Sequence, residues 1–140
     1  MTTRTGAAPL RVLVVEDEPD HRRALILTLR LGGYEPWESE SGEAALGTLG
    51  AGPDPGTSPT PDAIVLDIRL PGIDGVEVLE RLRAAVSTRG LPVVLVSAHA
   101  RIPTAVHEDP WSRFLRKPFH PDQLLEQLGE LLTHRAGQES

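Results

Sequence analysis

Cysteine is absent from the 140 residues, which removes disulfides, thiolate metal sites and cysteine nucleophiles from consideration. No apolar run reaches the roughly eighteen residues of a membrane span, and no charged-then-apolar leader opens the chain. The expectation is a cytoplasmic protein with no membrane partner. A basic excess is missing too: 14 basic against 20 acidic residues give a net charge of -6. Direct nucleic-acid binding needs a clustered positive surface and is not expected. Neither G-x-G-x-x-G nor a Walker loop follows the first apolar run, so a nucleotide site of those kinds is disfavoured. Lysine occurs once, at Lys117 in "FLRKPF", against thirteen arginines. Lysine is a compact point charge where arginine is a planar fork, so its single use asks for a reason.

What is present is an alternation of two patterns. "RVLVVE" (11–16), "AIVLDI" (63–68) and "PVVLVS" (92–97) are nearly continuous apolar runs, as expected of parallel strands covered on both faces. "RFLRK" (113–117) is a shorter fourth run. "YEPWE" (34–38) is a weaker fifth, which Pro36 assigns to a sheet edge because it cannot donate to a ladder. Between them lie helical patterns. Pro19 opens one that stops at Gly32 and Gly33, Ser41 is placed to cap a second, and Asp74 with Glu77 has capping-box spacing at the head of a third. The last, 121–135, sets Leu124, Leu125, Leu128, Leu131 and Leu132 on one face. Five strand–helix alternations read as an α/β, doubly wound parallel sheet. The Pro/Gly/Ser-rich 50–61 segment reads as an exposed loop within one domain.

Ligands of open α/β sheets sit beyond the carboxyl ends of the strands. Those ends are polar here: Glu16 and Asp17, then Asp67, Ser97 and Lys117. Carboxylates about 4 Å apart repel by roughly 4 kcal/mol at an effective dielectric near 20, so such a rim calls for a cation or a raised pKa. With oxygen ligands only, the expected ion is hard, Mg²⁺ above all with Mn²⁺ as an alternative. Each residue also has a plainer reading: Glu16 and Asp17 as caps of the first helix, Asp67 as a turn residue, Ser97 as a cap. Four strand ends with matched chemistry favour a phosphoryl site.

The motifs "VVEDE", "LDIRLPGIDG", "VSA" and "KPF", in this order, resemble the receiver domains of two-component response regulators over about residues 10–134, between a leader at 1–9 and a polar tail at 135–140. The resemblance implies a (βα)5 flavodoxin-like fold with strand order 2-1-3-4-5. It implies Asp67 as phosphoacceptor, Asp17, Asp67 and the Arg69 backbone carbonyl as Mg²⁺ contacts, and Glu16 acting through metal-bound water. Ser97 and Lys117 would bind phosphoryl oxygens, the Lys117–Pro118 bond would be cis, and Phe114 would stand at an aromatic switch position. Phe114 as plain core packing stays an alternative. The implied partners are a histidine kinase or histidine phosphotransfer protein and a downstream protein effector, with a homodimer as a further arrangement. The implied protein is a signalling domain with slow self-dephosphorylation, not an enzyme.

The match weakens between Ala98 and Ser112, where the spacing is short and Pro103 and Pro110 intervene, so a short or irregular fourth helix is expected. Arg69 and His99 occupy positions that resemble tuners of acyl phosphate lifetime, with Arg69 shielding the phosphoryl group or simply facing solvent. A haloacid-dehalogenase-like phosphatase would need an acid where Arg69 stands. A receiver-like scaffold that works without phosphorylation would not need the intact acidic pair, serine and lysine. The chain ends in "AGQES" with no further domain, so a standalone regulator is expected.

Overall fold

The protein, seen in a computed structural model, is described over residues 8–50, 60–98 and 101–139. Five parallel strands, β1 (Arg11–Val15), β2 (Glu35–Ser39), β3 (Ala63–Asp67), β4 (Val93–Ser97) and β5 (Ser112–Arg116), pair in the order β2-β1-β3-β4-β5. The helices are α1 (Pro19–Leu31), α2 (Gly42–Leu49), α3 (Gly75–Ala84), α4 (Thr104–His107) and α5 (Pro121–Glu139), with a 3-10 turn at Val86–Thr88. This is the flavodoxin-like order, and β2 lies on an edge as Pro36 requires.

Both faces of the sheet are covered, which is why β1, β3 and β4 are apolar apart from Arg11 at the start of β1 and Asp67 and Ser97 at the ends of β3 and β4. Alternate residues serve opposite sides. Leu13, Val15, Ile64, Leu66, Val93 and Leu95 pack with Leu46 of α2 and Val78, Leu79 and Leu82 of α3. Val12, Val14, Val65, Val94 and Val96 pack with Leu25, Ile26 and Leu29 of α1 and Leu124, Leu128 and Leu131 of α5. Two cores thus clamp the sheet and fix its strand ends.

Helix starts follow side-chain caps. Ser41 accepts a hydrogen bond from Ala44 N–H at 3.0 Å, and Asp74 from Glu77 N–H at 2.9 Å. α1 is capped differently from the alternative given to Glu16 and Asp17: Glu18 accepts from Asp20 N–H at 3.1 Å and His21 N–H at 2.9 Å. Those two bonds hold the Glu18 carboxyl below its ordinary pKa. α4 is a four-residue turn of helix, in keeping with its prolines, and α5 continues four residues past Arg135. Most of the 50–61 loop, and His99, lie outside the described residues.

Candidate functional site

The carboxyl ends of β1, β3 and β5 bring three predicted residues into direct contact. Lys117, the first residue after β5, donates from Nζ to Asp67 Oδ2 at 2.9 Å and to Glu16 Oε1 at 3.0 Å. The Glu16 and Asp67 side chains are 1% and 7% exposed, that of Lys117 21%. The ammonium therefore sits between two buried carboxylates and offsets their repulsion. Burial lifts the Glu16 carboxyl above its ordinary pKa, the neighbouring Asp67 adds to the lift, and Lys117 only partly opposes it. Burial alone would pull Lys117 down, but its bonds to Asp67 and Glu16 and their charge win, so its pKa is raised.

Other bonds fix the carboxylates. The second Asp67 oxygen, Oδ1, accepts from Arg69 N–H at 2.8 Å, and Glu16 Oε2 accepts from Glu18 N–H at 3.2 Å. The β3–α3 connection is drawn tight by Gly75, where a Cβ would lie 2.7 Å from the Ile68 Cα and would also collide with the Asp67 carbonyl. Gly75 N–H donates to the Ile68 carbonyl at 2.9 Å. Gly72 supplies the left-handed turn at φ 75°.

The remaining predicted residues are placed as follows. Asp17 is exposed beside Glu16, and Arg69 is exposed two residues past Asp67. Ser97 ends β4, is buried, and its carbonyl accepts from Lys117 N–H at 2.9 Å. Phe114 lies half-buried on β5 opposite Leu95, against the α2–α3 side of the core. The Lys117–Pro118 bond is cis.

Two contributors escaped the sequence reading. Arg22 on α1 donates from Nη1 to the Glu16 carbonyl at 2.8 Å and from Nε to Glu38 at 3.1 Å. A signal for it exists: Arg22 shares the phase of Leu25, Ile26 and Leu29, so an arginine stands on an apolar stripe. Glu43 of α2 accepts from Ile73 N–H at 3.3 Å and so touches the β3–α3 loop. That contact spans 30 residues and leaves no local signature.

Among the described residues, no group of three or more His, Asp or Glu is arranged to hold a metal ion. Both Glu16 oxygens and both Asp67 oxygens already accept from protein donors. An ion would draw on the exposed Asp17 carboxylate, on the Arg69 carbonyl and on an Asp67 oxygen shared with its protein donor. Mg²⁺ is commonly held by one or two carboxylates and keeps several waters, so this all-oxygen, half-open set fits it.

An open parallel sheet with carboxylates at two strand ends and a bridging lysine at a third defines a receiver, and the wider comparison agrees. A family model, the response regulator receiver domain, matches residues 12–129. The chain belongs to this family of two-component signalling domains. It is 37% identical over 133 residues to the transcriptional regulatory protein PrrA of Mycobacterium tuberculosis, covering 94% of this chain and 53% of that one. To the phosphate regulon transcriptional regulatory protein PhoB of Escherichia coli it is 32% identical over 120 residues, 84% of this chain and 49% of that one. It thus spans about half the length of these relatives. Among solved structures, a response regulator from Chloroflexus aurantiacus superposes with a TM-score of 0.76 at 33% identity, over 89% of this chain and 98% of that one. The receiver domain of the Pseudomonas aeruginosa sensor histidine kinase PA1611, solved with magnesium in its active site cleft, gives 0.77 at 26% identity over 90% and 99%. Among the described residues no helix is long and apolar enough to cross a membrane.

Proposed function

We propose that this chain is a phosphorylated receiver in which Asp67 accepts the phosphoryl group. An Asp67 carboxylate oxygen attacks the phosphorus of a phosphohistidine on a histidine kinase or phosphotransfer protein, or of a small phosphodonor. The new P–O bond forms as the P–N or donor P–O bond breaks, leaving an acyl phosphate. Positioning and stabilisation of spread charge do most of the work in such transfers. Lys117 supplies the ammonium that steadies one phosphoryl oxygen, and the Ser97 hydroxyl serves a second. Asp17, Asp67 and the Arg69 carbonyl would hold Mg²⁺ or Mn²⁺, and Glu16 would act through Lys117 and water. When bound, the ion neutralises charge on the phosphoryl oxygens.

The observation behind this reading is the Lys117 bridge: the only lysine of the chain lies within 3.0 Å of carboxylates from two other strands. Readout to a downstream protein follows from repacking around Ser97 and Phe114. The test is intact mass after treatment with acetyl phosphate and Mg²⁺. Wild type gains one phosphoryl group, while Asp67→Ala and a chelator-treated sample gain none. Equal gain in Asp67→Ala, or none in wild type, overturns the proposal.

A further inference from the structure

The acidic loop after β1 carries an exposed carboxylate, Asp17, which has no cap or turn bond among the described residues; the bonds seen in this loop belong to its neighbours. The Glu16 side chain is tied to Lys117 and Glu18 N–H, and the Glu18 side chain caps α1. The peptide plane that joins Glu16 to Asp17 is held from a different direction. Arg22 Nη1 donates to the Glu16 carbonyl at 2.8 Å, and its Nε is engaged by Glu38, one residue before the end of the neighbouring strand β2. Arg22 is itself anchored, because its N–H donates to the Glu18 carbonyl at 2.9 Å and its side chain is only 14% exposed.

We propose that Arg22 is a positioning residue for the divalent-cation site, setting the Glu16–Asp17 peptide plane and with it the direction of the Asp17 carboxylate. This rests on the reading of Asp17 and Asp67 as cation ligands. The guanidinium is suited to the task where an ammonium is not, since its planar fork reaches a carbonyl and a carboxylate at once in fixed relative directions. Glu38 keeps the fork from rotating away. Outer partners that orient metal ligands typically contribute tenfold or more in metal affinity.

The adjacent Arg23 provides an internal control. It carries the same charge, pairs with Asp20 on the exposed face of α1 at 3.2 Å, and its side chain is 70% exposed. Loss of either arginine changes the net charge equally, but only Arg22 touches the acidic loop.

The experiment is calorimetric titration of MgCl2 into the unphosphorylated chain, with circular dichroism melts on each variant. Arg22→Gln is expected to raise the Mg²⁺ dissociation constant about tenfold, Arg22→Lys to recover only part of that, and Arg23→Gln to leave it within twofold. If Arg22→Gln does not fold, Glu38→Gln, which frees the fork but keeps the charge at position 22, carries the test and is expected to weaken Mg²⁺ several-fold. An unchanged constant in the folded variants at position 22 or 38, or an equal loss in Arg23→Gln, overturns the positioning role while leaving the cation site standing. Absence of Mg²⁺ binding by wild type overturns both.

Discussion

Replacing Lys117 with methionine removes the ammonium while keeping most of the volume of its stem. In the native protein that ammonium lies 2.9 Å from Asp67 and 3.0 Å from Glu16, whose side chains are 7% and 1% exposed. At an effective dielectric near 20, each contact represents roughly 5–6 kcal/mol of gross attraction. Desolvation of all three groups and the repulsion between the carboxylates offset most of it. Removing one partner of a buried pair costs about 3–5 kcal/mol, and the 21% exposure of Lys117 argues for the low end, about 3 kcal/mol. The deficit must also depend on pH. Burial and Asp67 already hold the Glu16 carboxyl above its unfolded value of 4.5, and loss of Lys117 raises it further. A carboxyl raised in the folded state contributes stability that is fully present below the unfolded value and lost as pH rises through the folded one. The Lys117→Met deficit is therefore largest near pH 8 and shrinks toward pH 5, as Glu16 takes up a proton and the repulsion disappears. Urea denaturation of both proteins at the two pH values measures it. A deficit below about 1 kcal/mol at pH 8, or one that is the same at both, refutes the electrostatic account.

Three further substitutions probe the frame around the site. Gly75→Ala drives a Cβ against the Asp67 carbonyl and the Ile68 backbone, so a loss of about 2 kcal/mol together with loss of acetyl phosphate labelling is expected; an unchanged denaturation midpoint contradicts the tight packing. Asp74→Ala removes the acceptor for Glu77 N–H and should cost about 1 kcal/mol in urea denaturation, with labelling retained. The buried Ser112 hydroxyl has no hydrogen-bond partner among the described residues, so Ser112→Ala is expected to be neutral or to stabilise by up to about 1 kcal/mol. A clear loss in the same assay would reveal a partner for that hydroxyl.

The parts legible in the sequence are those written in periodicity and local chemistry. The nearly continuous apolar runs at 11–16, 63–68 and 92–97 announce strands covered on both faces, and β3, β4 and all of β1 but Arg11 are buried. Ser41 and Asp74 cap helices because their partners lie three residues on, within reach of a local reading. Strand order came from the family resemblance, since nothing in the period of a strand states its neighbour. The acidic loop is less legible: three consecutive acids at 16–18 divide their work among lysine pairing, exposure and helix capping. In the sequence, capping is only an alternative role for Glu16 and Asp17, and Glu18, which makes the cap, is not singled out. Arg22 and Glu43 act across β2 and the β3–α3 loop, and such contacts become visible only once the sheet has brought distant segments together.

The use of lysine at 117 alone follows from what the site must do before and after a phosphoryl group arrives. Before, the cation must sit between two carboxylates on different strands, which a small ammonium on a flexible stem does with two of its three donors. After, under the proposed reaction, Asp67 carries the phosphoryl group and one of those bonds can pass to a phosphoryl oxygen by a small rotation of the stem, with no new charge brought in from water. A guanidinium would need the room of a planar fork in a space bounded by Glu16 and Asp67, and would trade a point contact for a fixed bidentate one. Lys117→Arg is thus a sharper test than charge removal. It preserves net charge and pairing with at least one carboxylate, so stability should fall less than in Lys117→Met, while acetyl phosphate labelling of Asp67 should fall as far; stability and labelling moving together would show that charge alone matters at this position.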